Sequence, residues 1–545
     1  MNTWLPMIVI AMAQILLVFN VSTLQVSIEA IASSYGTPAT SIGTAIVSYA
    51  LVVAAFILLG GRVTPVFGSR RVFRWMVLLF GGAMTLVAIS PGIVTMVIAQ
   101  IAAGAAAAAL VPTFVVLIVD SYRGRQQEKA LGLLGGAFSL GIVLAFLIAG
   151  FLATWVHWRV TFAMLGALSV VIYKLGEKLS PMPTRPTVSI DKLGIVLVAV
   201  AIILISLGAN ALTEWGLLLA RPLAPFNVLG MSPAPFMILA GALLLKAFVF
   251  WSRRLKSKGG TPLVALEVLE TRKERSALIT LFMISGIASG ITFLIPMYIQ
   301  VVQGRSSLET ALAVIPFSFA SLTAAVLVVR LYRRMSPSRI ARFGFITVAC
   351  GVGLLGFVVH NDWSDVMVVI GMILSGVGEG ALMTLLFNVL VTASPKELAA
   401  DVGSVRGVAN NLATAVGTAV AGALVVMLLA TSVHNHLTGN TTIPAALRQE
   451  VGVDNVSFVS NDRLREVLAR SSATPEQVEE AIRINTDARL QALKVTFFVF
   501  SVIALLALLP ARALPDYIPG DASRKPGDAP SDGKPPRLAA EQPSP

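Results

Sequence analysis

Apolar runs of spanning length recur near residues 5–28, 41–60, 73–92, 94–119, 130–154, 160–177, 193–211, 235–252, 277–300, 309–329, 343–360, 366–394, 404–431 and 491–511. A helix rising 1.5 Å per residue needs about 20 apolar residues to cross a bilayer, so the pattern predicts 14 transmembrane helices. Two stretches leave this pattern. Residues 432–488 predict an external loop. Its second half, Asp462 to Arg489, is charged and helix-prone, with Ser472 and Thr474-Pro475 before Glu476 as helix-start signals. From Pro515 onward Pro, Gly, Asp, Ser and Lys predominate, the composition of a disordered tail.

Composition agrees with a lipid-facing chain: of 545 residues 56% are apolar and 13% charged, with a mean hydropathy of +0.83. A soluble domain carries about a quarter charged residues. The net charge of +13 would suggest nucleic acid if it lay on one face. The 41 Lys and Arg instead form short clusters between apolar runs, which excludes that partner. With both ends inside, about 30 of the 41 fall on the cytoplasmic side, as the positive-inside bias requires. The first run is not read as a cleaved signal, although Ala30-Ile31-Ala32 offers small residues, because Met1 to Trp4 lacks a positive charge and Gln14, Asn20, Gln25 and Glu29 interrupt the run. The single cysteine, Cys350, allows neither a disulfide framework nor a thiolate metal site. His434 and His436 are too few to hold a metal. No phosphate-cradling Gly-x-x-x-x-Gly-Lys motif occurs, which argues against ATP as the direct energy source. No cofactor and no enzymatic activity are expected, since no nucleophile, base and orienter cluster together.

Several local patterns carry a resemblance. Tyr298 to Gly304, followed by Ser307-Leu308 and Ala311 to Pro316, resembles the helix-9 to helix-10 junction of 14-span drug:proton antiporters of the major facilitator superfamily. Trp158-Arg159-Val160-Thr161-Phe162 is similar to that family's entry to span 6, and Tyr49-Ala50-Leu51 to its span-2 Tyr-x-Leu. The resemblance covers roughly residues 5–512. It implies an all-α polytopic protein with the major facilitator fold: a six-helix bundle over 1–180, a linker with two inserted spans over 181–275, a second six-helix bundle over 276–514 that includes the loop 432–488, and a cytoplasmic tail over 515–545. Two bundles rocking about a midplane site would alternate access.

Departures from the family pattern fall at its polar positions. After span 2, Gly61, Gly68, Arg70 and Arg71 match the family's loop motif, while its aspartate is replaced by Pro65. The family's span-1 aspartate corresponds to Asn20, with Gln25 at its asparagine, and its span-4 arginine to Gln100, four residues before Gly104. Of the span-5 Gly-Pro-x-x-Gly-Gly element only Gly150 remains.

An ionised side chain at the bilayer centre costs about 2.5 to 3.5 kcal/mol on insertion scales, so it needs a reason to be there. Glu379, about 13 residues into its run, sits near the midplane. Desolvation favours the neutral acid, which suits reversible proton binding, and Glu379 is the proton-coupling candidate; the structural alternative is a carboxyl satisfied by a neighbouring helix. Lys246 lies within snorkelling reach of the interface near Arg253 and is read as structural. Arg406, one helical turn before Asn410, is either a gate at the inner mouth or a positive-inside charge. Asn20, Gln25, Tyr49, Gln100, Gln300 and Asn410 are the substrate-cavity candidates; Asn20, Gln25 and Gln100 can bond substrate or one another. The run Ala102 to Ala109 reads as a close-packing face.

The expectation is a secondary transporter of a small amphipathic or hydrophobic organic compound. It would be a proton-coupled efflux carrier in a bacterial-type cytoplasmic membrane, with both termini cytoplasmic and the protein monomeric. Its partners are the lipid bilayer, the small-molecule substrate and protons. Two alternatives stand: a proton-independent facilitator or lipid-like solute carrier, and a non-transporting membrane interaction protein on the same fold.

Overall fold

The computed structural model describes residues 4–37, 39–122, 125–180, 191–216, 219–220, 224–265, 271–331, 334–360, 366–393, 399–438, 461–469 and 473–516. The first half carries α1 (Leu5–Val26), α2 (Ile28–Tyr35), α3 (Ala39–Phe67), α4 (Ser69–Ala88), α5 (Ile93–Ser121), α6 (Arg125–Trp155) and α7 (Trp158–Leu175). Next come α8 (Lys192–Trp215), α9 (Pro233–Ser257), α10 (Arg272–Met297), α11 (Ser307–Leu331) and α12 (Pro337–Val358). The last are α13 (Val366–Ala393), α14 (Ala399–Thr438), α15 (Asn461–Leu468), α16 (Pro475–Leu506) and α17 (Leu508–Ala511). All but α2, α15 and α17 are long and apolar enough to cross a membrane, which makes 14 candidate spans, the number the hydropathy pattern predicts. The described residues form no strand.

Local chemistry sets several boundaries. Gly68 has φ +87°, a conformation that glycine adopts without strain, and this turn separates α3 from α4. α10 begins at Arg272, five residues before the predicted 277, because Thr271 accepts from the Glu274 amide while the Glu274 side chain accepts from the Thr271 amide. Thr474 and Gln477 form the same reciprocal cap at the start of α16, with Pro475 in first position. Here the structure differs from the sequence reading: the charged stretch from Pro475 onward and the last span are one helix, while Asn461–Leu468 form the separate α15. No Gly or Pro interrupts residues 476–509, so nothing stops the helix as it passes from polar to apolar surroundings. The rest of the predicted loop, 439–460 and 470–472 with Ser472, and the tail from 517 lie outside the described residues, as do 181–190, Arg123, Arg333 and Lys396.

The helices pack in two groups. α3 and α4 lie on α5, α4 on α7, and α1 on α6; α11 and α12 both lie on α13, α10 on α14, and α12 and α14 on α16. α8 pairs with α9 and also touches α3 and α14, one helix from each group. Small residues make the closest approaches. A Cβ on Gly60 would lie 2.2 Å from the Ala108 carbonyl oxygen, and one on Gly104 2.8 Å from that of Tyr49, so the alanine-rich face of α5 packs backbone to backbone against α3. α9 is the least buried span, and Lys246 on it is exposed.

Candidate functional site

α13 places the acidic candidate. Gly376 and Gly380, one turn apart, face α11, where added Cβ atoms would come within 2.3 Å of the Phe317 oxygen and 2.0 Å of the Ser321 oxygen. Gly371 and Gly378 face α12, against Gly351 and Gly344. Glycine on two sides lets α13 sit tightly between both neighbours, and Glu379 is carried into the space between the two helix groups. There a cavity of about 250 Å³ opens, lined by α1, α3, α5, α6, α10, α11, α13 and α14. Ser321 of α11 lines the same cavity as Glu379.

The lining joins polar groups to aromatic rings. Gln14, Ser22, Gln25 and Tyr49 contribute from α1 and α3, and Ser285, Ser289, Thr292, Asn410, Asn411 and Thr414 from α10 and α14. Phe138, Phe146, Phe317 and Phe387 supply the apolar walls. Among the described lining residues Glu379 is the one acid and Arg406 the one base. The Arg406 guanidinium lies 4.0 Å over the Phe387 ring, a cation–π geometry. One turn on, Asn410 Oδ1 accepts from the Ser285 hydroxyl at 2.9 Å.

The sequence-derived candidates divide. Glu379, Gln25, Tyr49, Arg406 and Asn410 meet at this cavity. Asn20 and Gln100 do not line it: they are fully buried and bond each other twice, Asn20 Nδ2 to Gln100 Oε1 at 2.8 Å and Gln100 Nε2 to Asn20 Oδ1 at 2.9 Å. Gln300 lies in the π-turn Tyr298–Val302, accepts from the Glu29 amide at 3.1 Å and donates to the Gln25 carbonyl at 3.4 Å. It therefore fastens α10 to the α1–α2 junction. Of the loop motif, Gly61 abuts α14, where a Cβ would come 2.5 Å from Ser404 Oγ; Arg70 is half-buried and Arg71 exposed.

One polar cluster was not anticipated. Arg62, at the end of α3, donates to the Pro262 and Leu263 carbonyls at 2.9 Å each and pairs with Asp401 of α14 at 3.3 Å. Asp401 also accepts from the Ala265 amide at 3.4 Å. This ties both helix groups to the segment before α10, on the side of the cavity away from Gln300. On the Gln300 side, Gly150 of α6 packs on Ser307 and Ala311 of α11, and Thr154 Oγ1 accepts from the Leu308 amide at 3.0 Å. The cavity is thus bracketed by packed contacts at both ends. An acid at residue 401 is the only sequence signal for the first of these ties, and its partner lies 339 residues away.

Residues 10–418 match the Major Facilitator Superfamily. The “Probable actinorhodin transporter” of Streptomyces coelicolor is 26% identical over 87% of this chain and 82% of its own length. The multidrug efflux pump LfrA of Mycolicibacterium smegmatis is 24% identical over 78% and 81%. The multidrug resistance protein B homolog of Mycobacterium tuberculosis H37Rv is 23% identical over 93% and 89%. Among solved structures, a bacterial homolog of the human lysosomal transporter Spinster, inward-facing and occupied, has a TM-score of 0.55 at 13% identity, covering 92% of this chain and 96% of that one. The xylose transporter XylE from E. coli, in a partially occluded inward open conformation, gives 0.54 at 12% identity over 93% and 98%. These two likenesses concern the fold alone. With a helical fold of 14 candidate spans and a family match running from residue 10 to residue 418, the chain belongs to the major facilitator superfamily, a class of membrane transporters that are not enzymes.

Proposed function

We propose that the chain is a proton-coupled efflux carrier. It moves a small amphipathic or hydrophobic organic compound outward across a bacterial cytoplasmic membrane, by alternating access of two six-helix bundles about the cavity. The observation that carries this reading is Glu379, the single acid among the described lining residues, set between apolar helices and open to the cavity. A carboxyl in that position can take up a proton when the cavity opens to one side and release it to the other, without leaving the protein. The polar and aromatic lining fits a compound with both characters. The similarity to the multidrug efflux pump LfrA supports the direction.

A proton-independent facilitator is favoured by one observation: Asn20 and Gln100 satisfy each other, so the family's charged pair of positions is neutral here. Everted vesicles decide between the two. The proton-coupled carrier accumulates an amphipathic compound only when an inward-acid gradient is imposed, and collapsing that gradient releases it. Equilibration to the same level with and without the gradient identifies the facilitator.

A further inference from the structure

Among the described residues Arg406 has no counter-ion. It stands on the cavity wall, forms no ion pair with a described residue and leaves its buried Nε without a hydrogen-bond partner among them. Two described acids that could neutralise it are otherwise placed. Asp401, five residues earlier on α14, is committed to Arg62 and the Ala265 amide. Glu379 lines the same cavity but makes no ion pair with Arg406. A guanidinium does not shed its proton under ordinary conditions, and enclosing one unpaired among helices is costly. The cost is offset if a ligand supplies the missing charge.

We propose that Arg406 anchors the negative group of the transported compound, and that the cavity selects aromatic organic monoanions such as carboxylates. The planar, five-donor guanidinium matches a carboxylate in fork geometry, and Phe387, stacked at 4.0 Å, holds its plane. Asn410, one turn further along α14, lies on the same wall and offers its Nδ2 amide to the second oxygen, beside Asn411, whose Nδ2 donates one N–H to the Gly407 carbonyl at 2.9 Å and keeps the other. Phe138, Phe146 and Phe317 face the body of the ligand. The inference rests on the transport reading for the identity of the cavity, and goes beyond it in naming the charge and shape of what the cavity takes.

Binding, measured without any gradient, separates this inference from transport itself. Purified full-length protein is dialysed to equilibrium against three radiolabelled probes with the same ring system: 2-naphthoate, neutral 2-naphthamide and cationic 2-naphthylmethylammonium. The wild type binds naphthoate at least tenfold more tightly than the amide, and the ammonium more weakly still. Arg406→Gln brings naphthoate down to the level of the amide in the same variant, whereas Arg406→Lys retains part of the preference. The wild-type series stands by itself if a variant fails to fold. Equal binding of the three probes, preference for the cation, failure of all three to bind, or a preference that survives Arg406→Gln each overturns the proposal. A vesicle experiment that shows no gradient-driven movement would instead remove proton coupling and leave this binding result in place.

Discussion

A Cβ on Gly380 would lie 2.0 Å from the Ser321 carbonyl oxygen, closer than any relaxed contact. Gly380→Ala therefore forces α13 off α11 at the site of Glu379, and overpacking of this kind costs about 1 to 3 kcal/mol. The thermal unfolding midpoint of the detergent-solubilised variant falls; Gly82→Ala, where an added Cβ meets nothing within 4 Å, is the control and shows no loss. Equal midpoints for the two variants would contradict this packing. Glu379 itself can be picked out from sequence, because an acid in the middle of an apolar run is rare for a physical reason. Asn20 and Gln100 cannot be resolved in the same way. Their chemistry permits bonding to substrate or to each other, and only the placement of α1 against α5 decides for each other.

The elements that close the ends of the cavity depend on contacts between distant segments. Arg62 of α3, Asp401 of α14 and the 262–265 backbone form one polar knot, and hydrogen bonds to a charged group contribute about 1.5 to 3 kcal/mol each. Asp401→Asn removes the charge at its centre and shifts the population toward openings at that end. With a cysteine at Asn411 on the cavity wall in a Cys350→Ser background, labelling by a membrane-impermeant maleimide becomes several-fold faster in Asp401→Asn than in its parent. Unchanged labelling would show that the knot does not hold the end closed. Sequence reading misses this knot because Arg62 looks like one more positive-inside charge and Asp401 like a residue of a helix's first turn. It succeeds at α16, where Thr474-Pro475 before Glu476 mark the helix start, but it ends that helix too early, because a change from polar to apolar composition resembles a boundary and is none.

For the whole molecule, the span count is visible in sequence because each crossing must provide its own run of about 20 apolar residues. The pairing of helices is not visible, since it is set by glycine and alanine contacts such as Gly60 on Ala108 that hydropathy does not register. The Lys and Arg asymmetry predicts the orientation. A reporter fused after Ser257 is expected in the cytoplasm and one inserted near Thr438 outside; the two on one side would refute the arrangement. Coupling is the central claim, and it concerns the same whole: one acid in a cavity shared by both helix groups. Glu379→Gln keeps size and hydrogen bonding while fixing the neutral state. At 100 mV one transferred charge supplies about 2.3 kcal/mol, roughly a 50-fold concentration ratio. The most direct measurement is the accumulation ratio in everted vesicles under an imposed proton gradient, for wild type and Glu379→Gln side by side. The account predicts that accumulation vanishes in the variant while downhill exchange continues; an unchanged ratio with the same dependence on the gradient would contradict it.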